Sequence, residues 1–119
     1  MKLNGRAVMI ATLVGTVLQL TMVAIGHSSA EVRTLFAPIG MGISLIAGIL
    51  YTVISTEVIT RDNVVGGMIA GSVSALIGIA VSCALHDVEP LILVVGTLSS
   101  AVTGAIGGWI GRLFSSGRV

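Results

Sequence analysis

The chain has 119 residues, of which 55% are hydrophobic and only 9% charged, and its net charge is +1. Soluble domains carry about 25% charged residues, so this chain has too few to cover a water-facing surface. The near-neutral balance also excludes the basic footprint of a nucleic-acid binder, and Cys83, the single cysteine, excludes a disulfide within the chain.

The charges are segregated. All of them fall outside four apolar stretches at about 7–26, 35–56, 64–85 and 91–111, each 20 to 22 residues long. A hydrocarbon core of about 30 Å is spanned by about 20 helical residues. Backbone groups in lipid must be satisfied internally, which leaves helices or closed barrels, and the runs lack the strict alternation of barrel strands. The expectation is one all-α membrane domain over 1–119 with four transmembrane helices.

The first span, 7–26, follows Lys2 and Arg6. That basic start, with Ser28-Ser29-Ala30 beyond, resembles a secretory signal, but the apolar run exceeds the roughly 7–15 residues of a signal core. It is expected to remain as a helix. Gln19 is its most polar side chain at mid-depth and needs an interhelical partner there. Glu31 and Arg33 lead into the second span, 35–56, where Pro38 sits in the first turn and breaks no helical bond. Tyr51, near the end of that span, and Trp109, near the end of the fourth, are expected in an interfacial aromatic belt.

Glu57, Arg61 and Asp62 separate the second span from the third, 64–85, which Asp62 or Asn63 is expected to cap. Asp87 and Glu89 precede the fourth, 91–111, where negative charge suits a helix N-terminus. Pro90 sits at the first helical position, where its missing N–H costs nothing.

Lys2, Arg6, Arg61, Arg112 and Arg118 fall on one side of this topology and only Arg33 on the other. Cytoplasmic loops are enriched in Lys and Arg, so a multi-pass protein of the cell (inner) membrane with both termini cytoplasmic is expected.

The two halves match in register. Shifted by 59 residues, Met9-Ile10-Ala11 falls on Met68-Ile69-Ala70, Val14 on Val73 and His27 on His86. Shifted by 56, Gly40 falls on Gly96, Ser44 on Ser100, Gly48 on Gly104 and Ile54 on Ile110. This predicts two repeated hairpins about a parallel pseudo-two-fold axis.

Small residues recur at every fourth position. The ladders are Ala7, Ala11 and Gly15; Gly40, Ser44 and Gly48; Gly66, Ala70, Ser74, Gly78 and Ser82; and Gly96, Ser100, Gly104 and Gly108. Lipid gives helices no hydrophobic reward for touching, so close backbone approach must supply the attraction, and such faces permit it. A second stripe of Gly67, Gly71 and Ala75, with Thr97, Ala101 and Ala105 in the last span, lets inner helices pack on two neighbours.

Gln19, Thr16 and Thr103 are candidates for a polar path, although helical Thr also bonds back to its own i−4 carbonyl. His27 and His86, near Glu31, Asp87 and Glu89, carry the residue types of a metal or pH-sensing site, but their spacing matches no metal motif. Gly40-Met41-Gly42 and the glycines from Gly104 to Gly111 lack the strand that a nucleotide loop requires. No ionisable residue falls within a span, which argues against a proton-coupled transporter. No nucleophile–base pair marks an enzyme, and no cofactor is implied. The expected role is a structural or accessory subunit. It would self-assemble as a homo-oligomer, or join a membrane complex, through its Gly/Ala/Ser faces, with the lipid bilayer around it. The alternative is an oligomeric channel or facilitator for a small solute or ion.

Overall fold

A computed structural model describes residues 3–55 and 59–116; Lys2, Glu57 and Arg118 of the charge pattern, and the last residue of the second apolar stretch, lie outside them. The helices are α1 (Gly5–Ser28), α2 (Ala30–Thr34), α3 (Phe36–Ser55), α4 (Thr60–Ala84) and α5 (Pro90–Ser116), and the described residues contain no strand. Four of them, α1, α3, α4 and α5, are long and apolar enough to cross a membrane. The molecule measures 46 × 22 × 20 Å.

Local chemistry sets the helix ends. Asn4 caps α1, its side chain accepting from Ala7 N at 3.0 Å. Ser29 caps the short α2, accepting from Val32 N at 3.4 Å. Pro90 is the first residue of α5 and Pro38 lies in the first turn of α3. The start of α4 differs from expectation. Ile59 occupies the cap position without a side-chain bond, and Asp62 and Asn63 sit inside the first turn, fully buried. The reason is packing. This turn is wedged against the end of α3, where Ser55 Oγ donates to Asn63 Oδ1 at 3.2 Å. Asp62 lies 3.8 Å from Arg61 Nε, and the positive end of the helix favours its charge.

The C-terminus of α4 closes with a bonded turn. His86 adopts φ 62°, its N–H donates to Cys83 O at 3.0 Å, and Asp87 N–H donates to Ser82 O at 3.0 Å. This is the Schellman pattern, in which a left-handed residue just past the helix satisfies the last carbonyls.

The long helices form a rhombus in section. α3 and α4 meet across its short diagonal, and α1 packs on both from one side and α5 on both from the other. A two-fold exchanging the hairpins would map the α3–α4 contact onto one between α1 and α5, and those two helices do not meet. Glycine accounts for how closely α5 sits. A Cβ at Gly48 or Gly67 would strike the carbonyl oxygen of Gly104, one at Gly107 that of Leu45, and one at Gly108 that of Asn63. Thr52 Oγ1 donates across this seam to Gly108 O at 2.9 Å, and Ser44 Oγ to Gly71 O at 3.3 Å. Tyr51 is not in an interfacial belt. It is 0% exposed, lies over Gly66 and accepts from Asn4 N at 3.2 Å, whereas Trp109 is 48% exposed. The absence of a Cβ at Gly66 makes room for the ring, so burial wins over the interface.

Candidate functional site

The glycine seam occupies only one half of the bundle. The glycine approaches between α3 and α5 run along 45–52 and 104–111, and the side-chain hydrogen bonds between α3 and α4 lie at Ser44 and Ser55. Toward the other end, marked by Asp87, α3 carries Phe36 and Met41, α4 carries Ile79, and α5 carries Ile92 and Val95. A cavity of about 300 Å³ lies among all four long helices at this end, lined by these side chains and by Gly40, Gly78 and Gly96.

Its walls are mostly apolar, with a few polar groups. Gln19 is 2% exposed, and its Nε2 donates to Gly40 O at 3.2 Å, while its Oε1 accepts no hydrogen bond among the described residues. Ser100 lines the deep end beside Gly71, and its hydroxyl likewise has no bond among the described residues. Ser82, nearer the Asp87 end, has a buried Oγ without a hydrogen-bond partner among the described residues. A buried polar atom left unpaired costs about 1–3 kcal/mol. Among the described residues the Ser82 hydroxyl is such an atom, as are those of Thr12, Thr16 and Thr97 away from the cavity. The cavity is therefore marked as a site by its volume together with the Gln19, Ser82 and Ser100 groups on its wall.

Above the cavity, Arg33, Thr34 and Val88 form its rim. The Schellman turn aims Asp87 back at α1 and α2. Its carboxylate, 4% exposed, accepts from Arg33 Nη1 at 3.1 Å and lies 2.9 Å from His27 Nδ1. His27 is therefore partnered by Asp87 rather than by His86, whose Nδ1 lies 3.4 Å from Cys83 O. No group of three or more His, Cys, Asp or Glu among the described residues is placed to hold a metal ion.

The residues singled out from sequence divide between seam and cavity. Gly40, Gly78, Gly96, Ser100 and Gln19 line the cavity. Gly48, Gly104 and Gly108 meet in the seam, Gly66 lies under Tyr51, and Gly15 abuts Ser74 and Ala47. Ala70 is buried with Ala7, Ala11, Ala47 and Tyr51. Of the three polar-path candidates only Gln19 reaches the cavity. Thr103 Oγ1 bonds back to Ser99 O at 2.6 Å, and Thr16 Oγ1, elsewhere on α1, is buried without a partner among the described residues. Ser82 continues the third ladder in sequence, a signal for its place on that face but not for its missing partner. The Arg33–Asp87 pair joins residues 54 apart and left no local trace.

No protein-family model, curated protein or solved structure matches the chain.

Proposed function

We propose that the protein is a membrane-embedded binding component or facilitator for a small solute, with no chemistry of its own. The cavity of about 300 Å³ at the Asp87 end carries this reading. Ligand pockets run from about 300 to 1,000 Å³, with apolar walls and a few placed polar groups, and Gln19, Ser82 and Ser100 are of that kind. The Lys/Arg bias supports cytoplasmic termini in the cell membrane, so the cavity lies in the outward half of the bundle. The glycine seam closes the cytoplasmic half, and passage through the protein requires α5 to part from α3 and α4.

Thiol reactivity tests the reading. In a Cys83→Ser background, Ser100→Cys and Ser82→Cys are expected to react with methyl methanethiosulfonate at least about tenfold faster than Ser74→Cys, which packs on Gly15. Equal rates for all three would mean a closed interior and no site.

A second reading is a structural or accessory subunit in a homo-oligomer or larger membrane complex. The exposed row Leu91, Val94, Leu98 and Val102 on α5 supports it, as a face equally suited to lipid or to another helix. The register matches between the hairpins support their origin by duplication.

A further inference from the structure

We infer that the cavity takes an uncharged amphiphile, an apolar body with one hydrogen-bonding end, directly from the lipid through a window between α3 and α5. The inference rests on the binding reading above and names its ligand class and its entrance.

The entrance follows from exposure. Cavity residues on α1 and α4, such as Gln19, Met22, Gly78 and Ser82, are buried, whereas Ala37 and Met41 on α3 and Ile92 and Val95 on α5 are exposed. The back wall is thus α1 and α4, and the open edge lies between α3 and α5. That edge runs from the first turn (Ala37 and Ile92) into the second (Met41 and Val95) of α3 and α5, within the apolar stretches that the acyl chains surround in this reading. The end of the bundle is crossed by the rim, tied down by Asp87 through Arg33 and His27.

Charge selects the ligand. Among the described residues Arg33 is the only ionisable side chain lining the cavity, and Asp87 already holds it. An ion entering below it would lose its hydration with no counter-charge to replace it. A wholly apolar molecule would leave the Gln19 Oε1 and the Ser100 and Ser82 hydroxyls unpaired. A hydroxyl or amide on the ligand pairs with them, and Met22, Phe36, Ile79 and Val95 cover the rest of the molecule.

The probe is a diazirine-bearing octanol, photolysed with the whole protein in lipid nanodiscs and read by residue-resolved mass spectrometry. Labelling at Gln19, Met22 and Ser100 is expected to saturate and to be displaced by unlabelled octanol, while labelling of lipid-facing Leu98 and Val102 rises without saturation. Octane and octanoate are each expected to compete at least about tenfold more weakly. Gln19→Met, which keeps the volume, is expected to weaken octanol competition about tenfold and to leave that of octane unchanged, the size of one hydrogen bond. Ala37→Phe, at the exposed edge, is expected to abolish saturable labelling without loss of folding. Octanoate or octane competing as well as octanol overturns the ligand class. Saturable labelling that survives Ala37→Phe overturns the window. If Ser100→Cys reacts rapidly with the thiol reagent but no labelling saturates, the cavity holds water alone, and this inference falls while the binding reading stands. If Ser100→Cys is also inert, both fall.

Discussion

At Gly108 a methyl group would stand against the carbonyl oxygen of Asn63, and at Gly48 against that of Gly104. Both neighbours are backbone, so no rotamer change relieves the contact, and helix α5 itself must move. Overpacking of this kind costs about 1–3 kcal/mol. Gly108→Ala and Gly48→Ala are each expected to lower the Tm in detergent and broaden the elution profile. Gly42 is the control. It also sits inside α3, but a Cβ there meets nothing within 4 Å, and replacing a helical glycine by alanine is worth roughly 0.5–1 kcal/mol. Gly42→Ala is expected to match or exceed the parent Tm. If all three substitutions behave alike, the seam is not in backbone contact. His86 makes the opposite case. A non-glycine residue at φ 62° carries a strain of about 1–2 kcal/mol, so His86→Gly is expected to raise stability by about 1 kcal/mol, measured as a rise in Tm.

At the scale of elements, the turn after α4 does two things at once. Its backbone bonds end the helix, and they set Asp87 where it holds His27 at the end of α1 and Arg33 on α2. Both partners keep a third or more of their side-chain surface in solvent, at 53% and 36%, so the electrostatic worth is discounted toward that of surface pairs. Asp87→Asn is expected to cost about 1 kcal/mol, a loss that shrinks as salt is raised, with Glu89→Gln nearly neutral. A loss that does not respond to salt would mean that Asp87 acts through the turn's shape alone. The ends of the elements were partly readable beforehand. Pro90 and the acidic pair before it announced the start of α5 through local chemistry. Asp62 and Asn63 have the residue types of caps, yet they lie buried inside the first turn of α4. Their position depends on Ser55 and α5, which no local pattern contains.

For the whole molecule, the charge bias predicts an orientation that a labelling experiment can read. Cysteine at Ser29, in a Cys83→Ser background, is expected to react with an impermeant thiol reagent on intact cells. Cysteine at Ser116 is expected to react only after permeabilisation. The reverse pattern would place the cavity toward the cytoplasm. The sequence by itself determined four helices long and apolar enough to cross a membrane, because the cost of placing a charge in lipid or an apolar side chain in water is counted residue by residue along the chain. Helices α1 and α5 overrun their apolar stretches at both ends and α4 at its N-terminus, whereas α3 stays within its own, because backbone hydrogen bonding does not depend on the polarity of the side chains. Only the tertiary structure decided which neighbour each small face meets, that Tyr51 is buried over Gly66, and that Arg33 finds Asp87. The cavity belongs to the same class. A void is the property of no single residue, and it exists here where residues of all four long helices, from Gln19 on α1 to Ser100 on α5, leave a space that none of them fills.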